Sequence, residues 1–105
     1  MTLEDIGRKA NELETEVGLT IDDVLHKVTQ EAGEFNDAVQ KYRGRYCKTK
    51  DGTTTKIEQE VGDLFFNVIS VCYRLGINPD NLPQYARNTL VKFEERKELY
   101  KQNQC

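Results

Sequence analysis

The sequence predicts an all-α fold of four helices, completed by homo-oligomerisation. Three observations carry this reading. Apolar residues recur at helical spacing through two long stretches, threonine-based capping signals open successive segments, and proline occurs only at Pro79 and Pro83. The chain of 105 residues suits one domain covering 1–105, with little room for a second. Hydrophobic residues make up 37% and charged residues 31%, so one copy buries only a small core and association between copies is expected.

Thr2 with Asp5 reads as a capping box, opening a first helix that ends near the glycine of "EVGLT". Thr20 with Asp23 opens a second, running to about Arg43. Its apolar stripe is Ile21, Val24, Leu25, Val28, Ala32, Phe35, Val39 and Tyr42. The turn-rich "GRYCKTKDGTTT" follows, where Asp51-Gly52 signals a turn and could close a short hairpin. Thr55 with Glu58, or a threonine just before, opens a third helix ending at Gly76. Its stripe is Ile57, Val61, Leu64, Phe65, Val68, Cys72 and Leu75, and both stripes are read as core. A fourth helix starts within "NPDNLP", capped by Asn78 or Asp80, with an apolar line of Leu82, Ala86, Leu90, Phe93 and Tyr100.

Composition removes several function classes. A net charge of −3 argues against nucleic acid as the main partner. No apolar run is long enough to span a bilayer, so no membrane partner is expected, and the N-terminus lacks a signal-peptide core. The cysteines are Cys47, Cys72 and Cys105, an odd count without CxxC spacing. This reads as a cytoplasmic protein with no zinc site, Cys72 packing on a stripe and Cys105 free. His26 has no second histidine or paired cysteine to make it a ligand.

The chemistry-bearing signal is acidic. Glu31 and Glu34 stand three residues apart in the second helix, as do Glu60 and Asp63 in the third. Spacing alone decides little, because the same interval also joins Glu34 to Asp37 and Glu95 to Glu98. Angular position says more. Glu31 and Glu60 each lie about 60° from the centre of their stripe, and Glu34 and Asp63 about 120° to the same side. In each helix one acid therefore edges the core and the other lies further out. An antiparallel pair of helices would bring all four carboxylates to one cleft. Crowded carboxylates repel, and a hard divalent cation such as Mg²⁺ removes the conflict while keeping coordination sites for phosphate oxygens. Asn67, one turn after Asp63 on the same flank, either orients a ligand or is a polar boundary residue.

Positive charge is set out along the last helix. Asn88, Lys92 and Arg96 form a single ridge at i, i+4, i+8. Such a ridge beside a metal could grip phosphate, Arg96 as a fork and Lys92 as a point charge. Spacing alone slightly favours the alternative, in which Lys92 and Arg96 pair with Glu94, Glu95 or Glu98 at the surface. Lys41, Arg43, Arg45, Lys48 and Lys50 could form an electrostatic entrance for a polyanion, although the loop lacks P-loop glycines.

In order along the chain, "QEAGEF", "EQEVGDLFFNVI", "GINP" and "ARNTLVKFEER" resemble the MazG-like all-α nucleoside triphosphate pyrophosphohydrolases. The resemblance runs from about Thr20 to Arg96. It implies a four-helix MazG-like bundle and Mg²⁺-dependent hydrolysis of a (deoxy)nucleoside triphosphate between the α- and β-phosphates, with Mn²⁺ as the alternative ion. The products would be a monophosphate and pyrophosphate, and the role nucleotide-pool housecleaning. By motif match, Glu31, Glu34, Glu60 and Asp63 would be the metal ligands. Asn88, Lys92 and Arg96, with Asn67, would hold substrate. Relatives work as homodimers or dimers of dimers, with helices of two subunits forming each site; Phe66 and Ile69, off the core stripe, could supply that interface. Many relatives have an acid immediately before the first ExxE, where this chain has Gln30. Glu31 or Glu34 is then left as the catalytic base. The first helix matches least, and its Asn11 is a candidate base contact. Two other readings stand beside this one: phosphoribosyl-ATP pyrophosphohydrolase, and a non-catalytic helical assembly or binding module.

Overall fold

The computed structural model describes residues 1–45 and 52–103. Its helices are α1 (Leu3–Glu16), α2 (Ile21–Tyr42), α3 (Thr54–Arg74) and α4 (Leu82–Gln102), with a 3-10 turn over Pro79–Asn81 before α4. The described residues contain no strand. Cys47, Lys48, Lys50, Asp51 and Cys105 lie outside the described residues, and with them the expected Asp51-Gly52 turn.

Local chemistry starts the first two helices as the sequence predicts. Thr2 accepts from the Asp5 N–H at 3.0 Å, and the Thr2 N–H donates to Asp5 Oδ2 at 2.9 Å. Thr20 and Asp23 repeat the exchange at 3.2 and 2.8 Å. Two otherwise orphaned donors are satisfied at each start. The Thr2 N–H and then the Arg8 guanidinium hold the Asp5 carboxyl down to about 2. A depressed folded-state value stabilises the fold above the unfolded value of about 4 and loses that contribution as pH falls toward the folded value. Asp5→Ala should therefore lower the thermal midpoint at neutral pH, with the gap to the parent closing near pH 2. At α3 the cap is Thr53, whose side chain accepts from Lys56 N–H at 3.1 Å. It is the earlier threonine, not Thr55 with Glu58. Neither Asn78 nor Asp80 caps α4, which starts from Asn81 without a side-chain cap; Asn78 caps the preceding 3-10 turn, and Asp80 accepts the Leu3 N–H at 2.9 Å. Gly18 and Gly76, both at positive φ, end α1 and α3 where a side chain would be strained.

Helix α3 lies between α1 and α2, and both neighbours run antiparallel to it. The α1–α3 approach is set by Gly7, where an added Cβ would stand 2.8 Å from Tyr73 Cβ. Only hydrogen fits there without moving a helix. Across the same interface Glu14 Oε1 accepts from Ser70 Oγ at 2.6 Å and from the Arg74 guanidinium at 3.1 Å. Arg74 also donates to the Leu19 carbonyl at 3.1 Å, tying in the α1–α2 connection.

The expected core needs correction. In α2, Val24 is buried, but Leu25, Ala32 and Tyr42 are exposed, and Ala38, outside the predicted stripe, is buried. In α3 and at its C-cap, Val61, Phe65 and Leu75 are exposed, whereas Glu60, Asn67, Ile69 and Ser70 are buried. Ile69, expected at an interface between copies, is only 2% exposed inside one chain. Because α3 is covered from two sides, its buried arc is broader than one stripe and includes polar positions. The apolar line of α4 faces no core in this chain, with Leu90, Phe93 and Tyr100 all exposed. Among the helical elements, α4 contacts the 3-10 turn alone. The radius of gyration is accordingly 17.0 Å, against about 13 Å for a compact chain of this length.

Candidate metal centre

The antiparallel α2–α3 pair decides which acids meet. Glu31 from α2 and Glu60 and Asp63 from α3 bring carboxylate oxygens within 4.8 Å of one another. Glu60 is the buried member at 6% exposure, Glu31 is half-buried and Asp63 exposed. The ordering expected from the helical angles is met, the first acid of each pair lying closer to the packed face. Glu34 stands outside this trio, but its carboxyl lies beside that of Glu31. That contact raises the Glu31 pKa above the usual glutamate range, and burial and the charges of Glu34, Asp63 and Glu60 act in the same direction. Such mutual opposition is the expected result of crowding acids at one place.

Two buried carboxylate oxygens, Glu60 Oε2 and Glu31 Oε2, have no hydrogen-bond partner among the described residues. Unmatched buried carboxylate oxygen is costly, and a cation at this point would satisfy it. The donor set is all oxygen and anionic, which suits a hard divalent ion rather than a soft one. The residues present thus fit such an ion, with Glu31, Glu60 and Asp63 able to hold it.

A cleft of about 580 Å³ opens beside the trio, lined by Glu34, Asp37, Ala38, Lys41, Lys56 and Glu60. Two of these positions carry the positive charge of the site. Lys56 Nζ lies 2.8 Å from Glu60 Oε1, and Lys41 Nζ lies 3.0 Å from Asp37. Sequence reasoning did not single out Lys56, and it read Lys41 only as part of a basic loop. The available signal for Lys56 was its i, i+4 spacing to Glu60, which resembles ordinary helix support. Arg43 and Arg45 are exposed at the end of α2.

The remaining candidates fall elsewhere. Asn67 is buried, and its amide donates to the Asp63 carbonyl of its own helix at 2.9 Å. It braces the backbone that carries Asp63. Asn88, Lys92 and Arg96 ride on α4, away from α2 and α3, so one chain does not bring them to the acids. Asn88 Oδ1 accepts from Gln84 at 3.0 Å. Neither Lys92 nor Arg96 forms an ion pair with Glu94, Glu95 or Glu98 among the described residues; Glu98 meets Lys101. Asn11 accepts from Thr15 on α1, a helix that does not touch α2. His26 is exposed and outside the acidic group.

No helix is long and apolar enough to cross a membrane among the described residues. No curated protein and no solved structure matches the chain. The model of the MazG nucleotide pyrophosphohydrolase domain matches residues 19–100, a span that holds both acidic pairs and nearly all of α4, and the chain belongs to that family.

Proposed function

We propose that this protein hydrolyses a nucleoside or deoxynucleoside triphosphate between the α- and β-phosphates, releasing pyrophosphate, with Mg²⁺ as the ion and Mn²⁺ able to replace it. The observation that carries the reading is the buried, half-unmatched Glu60 carboxylate facing Glu31 and Asp63. A solvated acidic face has no reason to bury such a group. Family membership supplies the nucleotide pyrophosphohydrolase class.

When bound, a divalent ion neutralises phosphate charge and acidifies the attacking water. The chain supplies the rest. Glu31, Glu60 and Asp63 hold the ion, and Asn67 keeps the Asp63 turn in place. Glu34 lines the cleft without belonging to the close trio, and is the better placed of the two candidate bases. Its carboxylate accepts the proton as the water oxygen bonds to the α-phosphorus and the α–β bridging bond breaks. Pyrophosphate departs with the bonding electrons.

Asn88, Lys92 and Arg96 then come from a second copy. Their helix leaves its own body, and its exposed Leu90, Phe93 and Tyr100 require cover, as do Val61, Phe65 and Phe66 on α3. Pairing these surfaces in a homodimer, or a dimer of dimers, would set one copy's basic ridge beside the other's acids. A housecleaning role in the nucleotide pool is the physiological expectation. The test is pyrophosphate release across the common and modified nucleoside triphosphates, with phosphoribosyl-ATP included, in Mg²⁺ and in chelator. Release from at least one nucleotide, lost in chelator, is expected. No release from any member would overturn the proposal.

A further inference from the structure

Lys56 is placed against the usual preference for a helix start. The first turns of α1 and α2 carry Glu4 with Asp5 and Asp22 with Asp23, whereas α3 has no acid there. The positive end of the α3 dipole favours anions, so a lysine at this point is disfavoured by the backbone. What holds it is Glu60. The two side chains differ sharply in environment, with Lys56 54% exposed and Glu60 8% exposed. This is therefore not a pair of two solvated groups, the kind worth little. The ammonium reaches Oε1 of a buried carboxylate from the solvent side, while Oε2 lies on the inner side without a partner.

We propose that Lys56 is a built-in counter-cation for Glu60, which a divalent ion must displace or repel in order to bind, so that this lysine sets the metal affinity of the site. The inference rests on the metal-binding reading given above. It concerns Lys56, and no role in bond cleavage is assigned to that residue. Two positive charges cannot both take the Glu60 carboxylate at close range without opposing each other. Lysine and metal are then linked as negatively coupled ligands of one group, and the coupling is reciprocal. With no ion bound, the ammonium relieves the repulsion among Glu31, Glu60 and Asp63. With an ion bound, that relief is supplied by the ion, and the ammonium becomes an opposing charge at the cleft wall. The flexible lysine stem and its exposure make the exchange sterically simple.

The test is calorimetric titration of Mg²⁺ and Mn²⁺ into the full chain, without nucleotide, for the parent, Lys56→Met, Lys56→Arg and Glu60→Gln. Thermal midpoints in chelator and in saturating Mg²⁺ accompany it. Lys56→Met is expected to tighten ion binding by roughly 5- to 150-fold, the usual span of such coupling. Its midpoint should fall below the parent's in chelator and recover in saturating Mg²⁺. Lys56→Arg keeps the charge and should stay near the parent in both measurements. An unchanged or weakened affinity in Lys56→Met overturns the inference. So does an equal loss of midpoint with and without ion, which is what a merely structural pair would give. Lys56→Gln gives a second neutral variant should the methionine form fold poorly. Parent protein that binds neither ion would defeat the metal reading itself, and binding undiminished in Glu60→Gln would place the ion elsewhere; both outcomes are separable from a failure confined to Lys56.

Discussion

Glu60→Gln should reduce pyrophosphate release by about 10²- to 10³-fold or more, the loss seen when one preorganised electrostatic contact at a reacting centre is removed. The expectation follows from position. Glu60 is the buried member of the trio, with one oxygen on Lys56 and the other unmatched. Glutamine keeps the shape and removes the charge that a divalent ion needs. Asp63→Asn should follow the same course, since its carboxylate completes the cluster from the exposed side. Stability separates this from simple damage to the fold. Removing one of several mutually repelling acids should leave the chelator-treated protein as stable as its parent, or more so. Glu58→Gln, at an exposed position outside the cluster, should change neither quantity. Retained release in both Glu60→Gln and Asp63→Asn would remove the trio from the chemistry.

Glu14→Ala should be the most destabilising single change, by about 3 kcal/mol, toward the lower end of the range for breaking a buried ion pair. Glu14 joins α1 to α3 through Ser70 and Arg74, and through Arg74 to the Leu19 carbonyl. Both charged side chains are largely buried, at 9% and 13% exposure. Truncation would strip the Arg74 guanidinium of its carboxylate while its Nε is already unmatched. Against a total of about 5–15 kcal/mol for a small domain, that is a large share. Urea unfolding measures it. In a double-mutant cycle, Glu14→Met with Arg74→Met should cost less than the sum of the single changes, because the double variant leaves no lone buried charge. Additive costs would show that the pair is not coupled.

Helix starts were legible because their causes are local: Thr2 with Asp5 and Thr20 with Asp23 sit within one turn. The acidic pairs were legible for a related reason, since the angle around a helix follows from residue number alone. It ranked Glu31 and Glu60 nearer the packed face than Glu34 and Asp63, as the structure has them. The core was read less well. Periodicity finds the apolar face of a helix but not which neighbour covers it, so Val61, Phe65 and Leu75 were assigned to a core that does not cover them within one chain. Glu14 with Ser70 and Arg74 is joined across 56 and 60 residues, beyond any local pattern. Lys56 escaped notice because a lysine four residues from a glutamate is ordinary on any helix. The ridge of Asn88, Lys92 and Arg96 was visible, and only its distance from its own acids required coordinates.

The bond from Leu3 N–H to Asp80 has a mechanical consequence. It pins the first turn of α1 to the 3-10 turn at the foot of α4, a turn that also packs against α3, so the bearing of that last helix is set where α1 and α3 meet its foot. With 21 residues, α4 is a lever about 31 Å long. A tilt of about 5° at its foot sweeps the far tip by nearly 3 Å, as much as one hydrogen-bond length. Small adjustments in the N-terminal turn are thus magnified along α4, and substitutions there can steer a distant charge without touching it.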